Sequence, residues 1–138
     1  MMPSIIYETL AGSMDDLGVT ADRIMEAESL DERPFDAGYF VVVSFGEELP
    51  AVAGLLAPRT MTIAVHYPWD KDRDYVPITR IINRVDQLLL PLELIKGQDG
   101  VQVSQIRRSG RSGNLSDEGW RTITRTATYG VSYDESAA

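Results

Sequence analysis

At 138 residues and 43% hydrophobic content, the chain has the size of one domain and enough apolar material for a single core. It contains no cysteine, which excludes a disulfide framework, a thiolate zinc site and a cysteine nucleophile. A net charge of −8 argues against bulk attraction to nucleic acid or to an anionic membrane, because the summed field repels phosphate.

The N-terminus, MMPSIIYETLAGSMDDL, lacks a basic n-region, and no run of about 18 apolar residues occurs anywhere, so the sequence reads as a soluble chain made in the cytoplasm. Ile6, Leu10, Met14 and Leu17 recur at helical steps, with Pro3-Ser4 as a start and Gly18 as a stop, predicting a helix over about residues 4–17. Val19 to Gly38 is acidic and without period; it reads as a loop with a short edge strand around Arg23 to Met25. Tyr39 to Phe45, a β-branched and aromatic run between Gly38 and Gly46, reads as a central strand covered on both faces. A flexible or weakly helical connection follows, broken by Pro50, Gly54 and Pro58.

Thr60 to Tyr67 then alternates, with Met61, Ile63, Val65 and Tyr67 on the buried face of a second strand. Ile78, Ile81, Ile82, Val85, Leu88, Leu89 and Leu92 form one stripe of an amphipathic helix over about residues 77–90, with Pro77 suited to its first turn. Thr79, Arg80, Asn83, Arg84, Asp86 and Gln87 are assigned to its polar side. Val101 to Arg107 is a third strand, and Trp120 to Tyr133 a fourth. On the fourth, Ile123, Ala127, Tyr129, Val131 and Tyr133 face opposite to Thr122, Thr124, Thr126 and Thr128. The order predicts a single α+β domain, 1–138: a mainly antiparallel sheet of about four strands, two helices packed on one face, and a long C-terminal β-hairpin.

The charge is unevenly spread. Residues 1–48 hold eleven acids against Arg23 and Arg33, a net −9, whereas the remainder is close to neutral. That segment is either a solubilising surface or one across which a polyanion slides without sticking. Between the third and fourth strands, RRSGRSGNLSDEG is unusually long for a hairpin connection. It reads either as a disordered basic loop or as an arm that orders on a neighbour, with the guanidinium groups of Arg107, Arg108 and Arg111 meeting carboxylates and Trp120 as an apolar anchor.

Little in the chain supports catalysis. His66 is the only histidine, so a Ser-His-Asp triad has a single possible base and a multi-histidine metal site has none. Asp70, Asp72 and Asp74 imitate the start of a calcium loop, but its sixth position is Tyr75 instead of glycine and its twelfth is Ile81 instead of a bidentate Glu. The loop is therefore read as a solvated, acidic lead into the following helix. No phosphate-binding glycine loop, nucleophile elbow or H-E-x-x-H occurs. The expectation is a non-enzymatic protein without metal or cofactor.

Taken together, RPFDAGYFVVVSFGEE, RTMTIAVHYPWDKDRD, VPITRIINRVDQLLL and NLSDEGWRTITRTATYGVSY resemble the tail terminator proteins of long-tailed, siphovirus-type bacteriophages, especially those of actinobacteria. The resemblance spans about residues 4–133, and DEGWRTITR is its most characteristic part; the acidic loop 26–36 departs from it by its richness in charge. It implies a homohexameric ring at the head-tail junction of a virion, capping the tail tube, stopping its polymerisation and docking to a head-closure or connector protein. The implied partners are further copies of the chain, the major tail tube protein, the head-closure protein, and DNA passing through the lumen without specific binding; no membrane is implied. On this reading Arg107, Arg108, Arg111 and Trp120 are the expected assembly interface, and Glu26, Glu28, Asp31, Glu32, Glu47 and Glu48 are lumen-facing candidates. Three alternatives stay open: a head-closure or other neck connector ring protein, a small acidic hydrolase, and a nucleic-acid-binding module using the three arginines.

Overall fold

The computed structural model describes residues 2–27, 38–48 and 59–134. The first helix, α1, spans Ser4–Leu10 and buries Ile6 and Leu10. It stops well before Leu17, because Ala11 turns extended (ψ 129°) and Gly12 follows with a φ of 80°, and a 3-10 turn forms at Asp15–Leu17. The apolar stripe outlives the break: Met14 is fully buried and Leu17 packs at the core margin. A second 3-10 turn, Ala21–Arg23, leads into the short strand β1, Ile24–Glu26.

β2 (Phe40–Glu48) and β3 (Arg59–Pro68) are antiparallel neighbours, whereas β1 joins β2 in parallel. After α2 (Val76–Leu89) come β4 (Glu93–Lys96), β5 (Gln102–Arg111), β6 (Leu115–Asp117) and β7 (Thr122–Asp134). Among the described residues these make one seven-stranded sheet in the order β1-β2-β3-β7-β5-β4, with β6 also on β7. The α+β class and the long C-terminal hairpin agree with the sequence reading. The sheet itself corrects the strand number, seven instead of about four; it is mixed, with β1 parallel to β2 and the other pairs among the described residues antiparallel. β4 and β6 are only four and three residues long, too short to show alternation. The connection 49–58 lies outside the described residues.

Register separates the two faces of the sheet. Val41, Val43, Met61, Ile63, Val65, Ile106, Ile123, Ala127, Tyr129 and Val131 share one face and are buried in the core. α2 lies on that face with Ile78, Ile81, Ile82, Val85 and Leu89 fully buried, each worth about 1.5–3 kcal/mol by removal from water. The helix start follows from local chemistry: Asp74 Oδ1 accepts the Val76 N–H at 3.0 Å, Asp72 Oδ1 accepts the Arg73 and Asp74 N–H groups at 2.7 and 3.2 Å, and Pro77 occupies the first turn. Arg84 ties α2 to the Asp15–Leu17 turn through two 3.0 Å bonds to Asp16 and one of 2.9 Å to the Ser13 carbonyl. α1 is held at the other end of the core by the β4–β5 turn, where the Ser4 N–H donates to Asp99 Oδ2 at 2.9 Å and the Gln98 N–H to Glu8 Oε2 at 3.2 Å.

Candidate assembly interface

The segment expected as a free arm is largely strand. β5 continues through Arg111, and β6 resumes on the same partner, Leu115 opposite Thr124 and Asp117 opposite Thr122. Between them Ser112 stays bound to β7: its N–H donates to Thr126 O and its Oγ accepts the Thr126 N–H, both at 2.9 Å. Residues 102–117 are thus one long, interrupted arm of the hairpin, closed by a turn at 118–121. Gly and Ser content marks a loop in isolation, but the backbone groups of this stretch find partners along the thirteen-residue β7.

Pairing of Arg108 with Tyr129 and of Arg111 with Ala127 places both arginine side chains on the helix-facing side of the sheet. There they meet Asp86, which is 8% exposed. Arg111 Nη2 lies 2.5 Å and Arg108 Nη1 3.5 Å from Asp86 Oδ2, while the Tyr129 hydroxyl donates to Oδ1. Burial, followed by the adjacent carboxylate, raises the Tyr129 pKa far above its ordinary 10.0, so the phenol stays a donor. Arg125 extends the network, with Nη1 donating to Thr79 Oγ1 at 2.7 Å and Nη2 to the Ser112 carbonyl at 3.0 Å. Asp86 therefore does not belong to the polar side of α2. It follows Ile78 by eight residues and Ile82 by four, inside the stripe, and its charge is balanced by β5.

The expected interface residues are thus divided. Arg111 is an internal counter-ion, with its side chain only 16% exposed; Arg108, at 48%, reaches Asp86 at longer range. Arg107 is exposed on the opposite sheet face, paired with Gly130. Trp120 sits in the hairpin turn, 39% exposed and edge-on to the fully buried Phe40 ring at 6.4 Å. Phe40 in turn stacks on His66, whose Nδ1 lies 2.8 Å from Thr122 Oγ1. Leu115 and Val76 are also exposed, and the Tyr75 hydroxyl donates to the Leu115 carbonyl at 2.6 Å, so the hairpin end and the start of α2 form one surface with apolar elements.

Of the acidic candidates, Glu28, Asp31, Glu32 and the side chains of Glu47 and Glu48 lie outside the described residues. Glu26 is half-buried on β1, and one carboxylate oxygen accepts the Met2 N–H at 2.6 Å. It borders an open groove of about 560 Å³ lined by Met2, Tyr7, Ala21, Asp22, Ile24, Met25 and Glu26. Successive residues of a strand point to opposite faces, so a groove touching Ile24, Met25 and Glu26 alike runs along the strand edge. The far edge of the sheet, β4, is exposed at all four residues.

No protein-family model and no curated protein matches the chain. In fold it is similar to a chain of a solved structure described as the virion of a native gene transfer agent (GTA) particle, with 14% sequence identity and a TM-score of 0.60. The superposition covers 93% of this chain and 90% of that one, and at this identity the likeness is one of fold.

Proposed function

We propose that the chain is a structural virion protein that assembles into a ring at the top of a phage tail, where it caps the tube, halts its growth and offers a docking face to the head-closure protein. The observation that carries this reading is the fold shared with a virion component along nearly the full length of both chains. Independently, the resemblance of the strand, helix and hairpin segments to tail terminators favours the tail end of the virion over other positions. The exposed Trp120, Leu115 and Val76 at the hairpin end supply apolar groups suited to a protein partner, and Arg107 supplies a separate cation on the outer sheet face. Function here is shape and adhesion, without a reaction.

Electron microscopy of the purified protein, alone and mixed with tail tubes, tests the proposal together with tail lengths in cells infected by a phage lacking the gene. Rings on tube ends and overlong tails in the mutant are expected. Normal tails and no tube binding would refute the terminator role, and rings binding only the head-closure protein would make the chain a neck connector.

A further inference from the structure

The two edges of the sheet differ in character. β1 borders a groove lined by Met2, Tyr7, Ala21, Ile24 and Met25 together with the half-buried Glu26 and the exposed Asp22. β4 presents Leu94 at 66% and Ile95 at 37% exposure, followed by Lys96, which has no carboxylate partner among the described residues. Among the described residues β4 is an uncovered edge; its two exposed aliphatic side chains stand between Glu93 and Lys96, and its shortness and charged ends disfavour indiscriminate pairing while leaving a specific partner possible. Leu94 has a φ of 50°, a conformation rare for leucine, within this strand.

We propose that β4 of one copy of this chain docks in the β1 groove of the next, Leu94 and Ile95 against its apolar side chains and Lys96 meeting Asp22. The occupant is a second copy because both halves of the match are present on one chain: two exposed aliphatic side chains followed by a cation, and a partly apolar groove that carries the carboxylates of Asp22 and Glu26. Because the surfaces are different, the contact is heterologous; repeated head to tail, it closes into a ring when the rotation per copy divides the circle. This rests on the reading of the chain as a ring former and specifies which surfaces close the ring.

The chain has no cysteine, so an introduced pair reports without background. Asp22→Cys and Lys96→Cys in the same chain should give, on oxidation, a covalent ladder ending at the ring size. Two single-cysteine chains mixed together should give Asp22→Cys to Lys96→Cys dimers and no larger species. As a second arm, Ile95→Asp/Lys96→Glu blocks the strand and Ala21→Trp fills the groove. Each should remain monomeric by light scattering with an unchanged melt, and a mixture should give one-to-one dimers only. Rings by microscopy without the cross-link, or Lys96→Cys dimers with themselves, would overturn this interface while leaving the ring reading intact. Absence of both rings and cross-links, with or without tubes, would overturn both.

Discussion

Asp86 holds a charge beneath α2 that only β5 and β7 can balance, and this makes it the most sensitive single residue in the fold. Asp86→Ala leaves the Arg111 guanidinium and the Tyr129 hydroxyl without their acceptor and should cost about 3–5 kcal/mol in chemical denaturation. Replacing both charges with apolar residues, Asp86→Leu with Arg111→Met, should recover part of that loss, because no lone buried charge remains although the Tyr129 hydroxyl still lacks its acceptor. A double variant as unstable as Asp86→Ala would show that the Tyr129 hydroxyl or Arg108, and not Arg111, accounts for the loss. Arg84 gives a second residue-scale expectation. Its hydrogen bonds hold the exposed Asp16 carboxyl below its ordinary 3.8. A carboxyl depressed in the folded state adds stability above its unfolded-state value and loses it as pH falls through the folded one. Stability should therefore decline below about pH 4, and Asp16→Asn should flatten that part of the curve measured by thermal melts. The sequence contained the signal for Asp86, an acid at helical spacing within an aliphatic stripe. Residue type concealed it, since acids are seldom buried without partners, and the partners were arginines assigned to a loop.

Elements with long, regular periods were legible: α2, β3 and β7 lie within two residues of their expected bounds. What the pattern left hidden depends on distant chain. β4 exists because β5 offers Val103 and Gln102 to Ile95 and Lys96, and residues 112–117 extend the hairpin because β7 runs past them. α1 is shorter than its apolar stripe because burial of Met14 needs only the right position, not a helix. Leu89→Ala or Ile82→Ala should cost about 2–5 kcal/mol by opening a cavity between α2 and the sheet. Gly97→Ala addresses the other end of the core: a Cβ there would lie 2.5 Å from the Ile5 nitrogen and closer still to Ser4 Oγ. This substitution should displace α1 from the β4–β5 turn, visible as faster amide exchange of the α1 backbone with little change at β7.

For the whole molecule, the reading of Arg107, Arg108 and Arg111 as one docking cluster gives way to a division of labour. Reversing Arg111 would place a carboxylate against Asp86 and damage the fold, so loss of assembly in such a variant would carry no information about an interface. The informative change is Arg107→Glu, on an exposed side chain: a normal melt with weakened attachment to tubes or to the head-closure protein is expected on the proposed function, and undiminished attachment would remove Arg107 from the assembly. The acidic half leads to a separate expectation. If part of the −9 on residues 1–48 lines a lumen, Asp31→Lys with Glu32→Lys should raise retention of DNA by rings at low salt, measured by filter binding, and the gain should fade as salt increases.

β7 hydrogen-bonds to β3 along one side and to β5 and β6 along the other, over thirteen residues. If the chain is mounted in a tail, as proposed, load runs through it along the tail axis. Tension directed along β7 has to shear these ladders together, because their bonds lie across the pull; tension directed outward on β4 opens its three register pairs with β5 one after another. The molecule is therefore mechanically anisotropic, stiff along the hairpin and soft at one rim, and the orientation in which copies are mounted would determine how much force the joint transmits before a subunit yields.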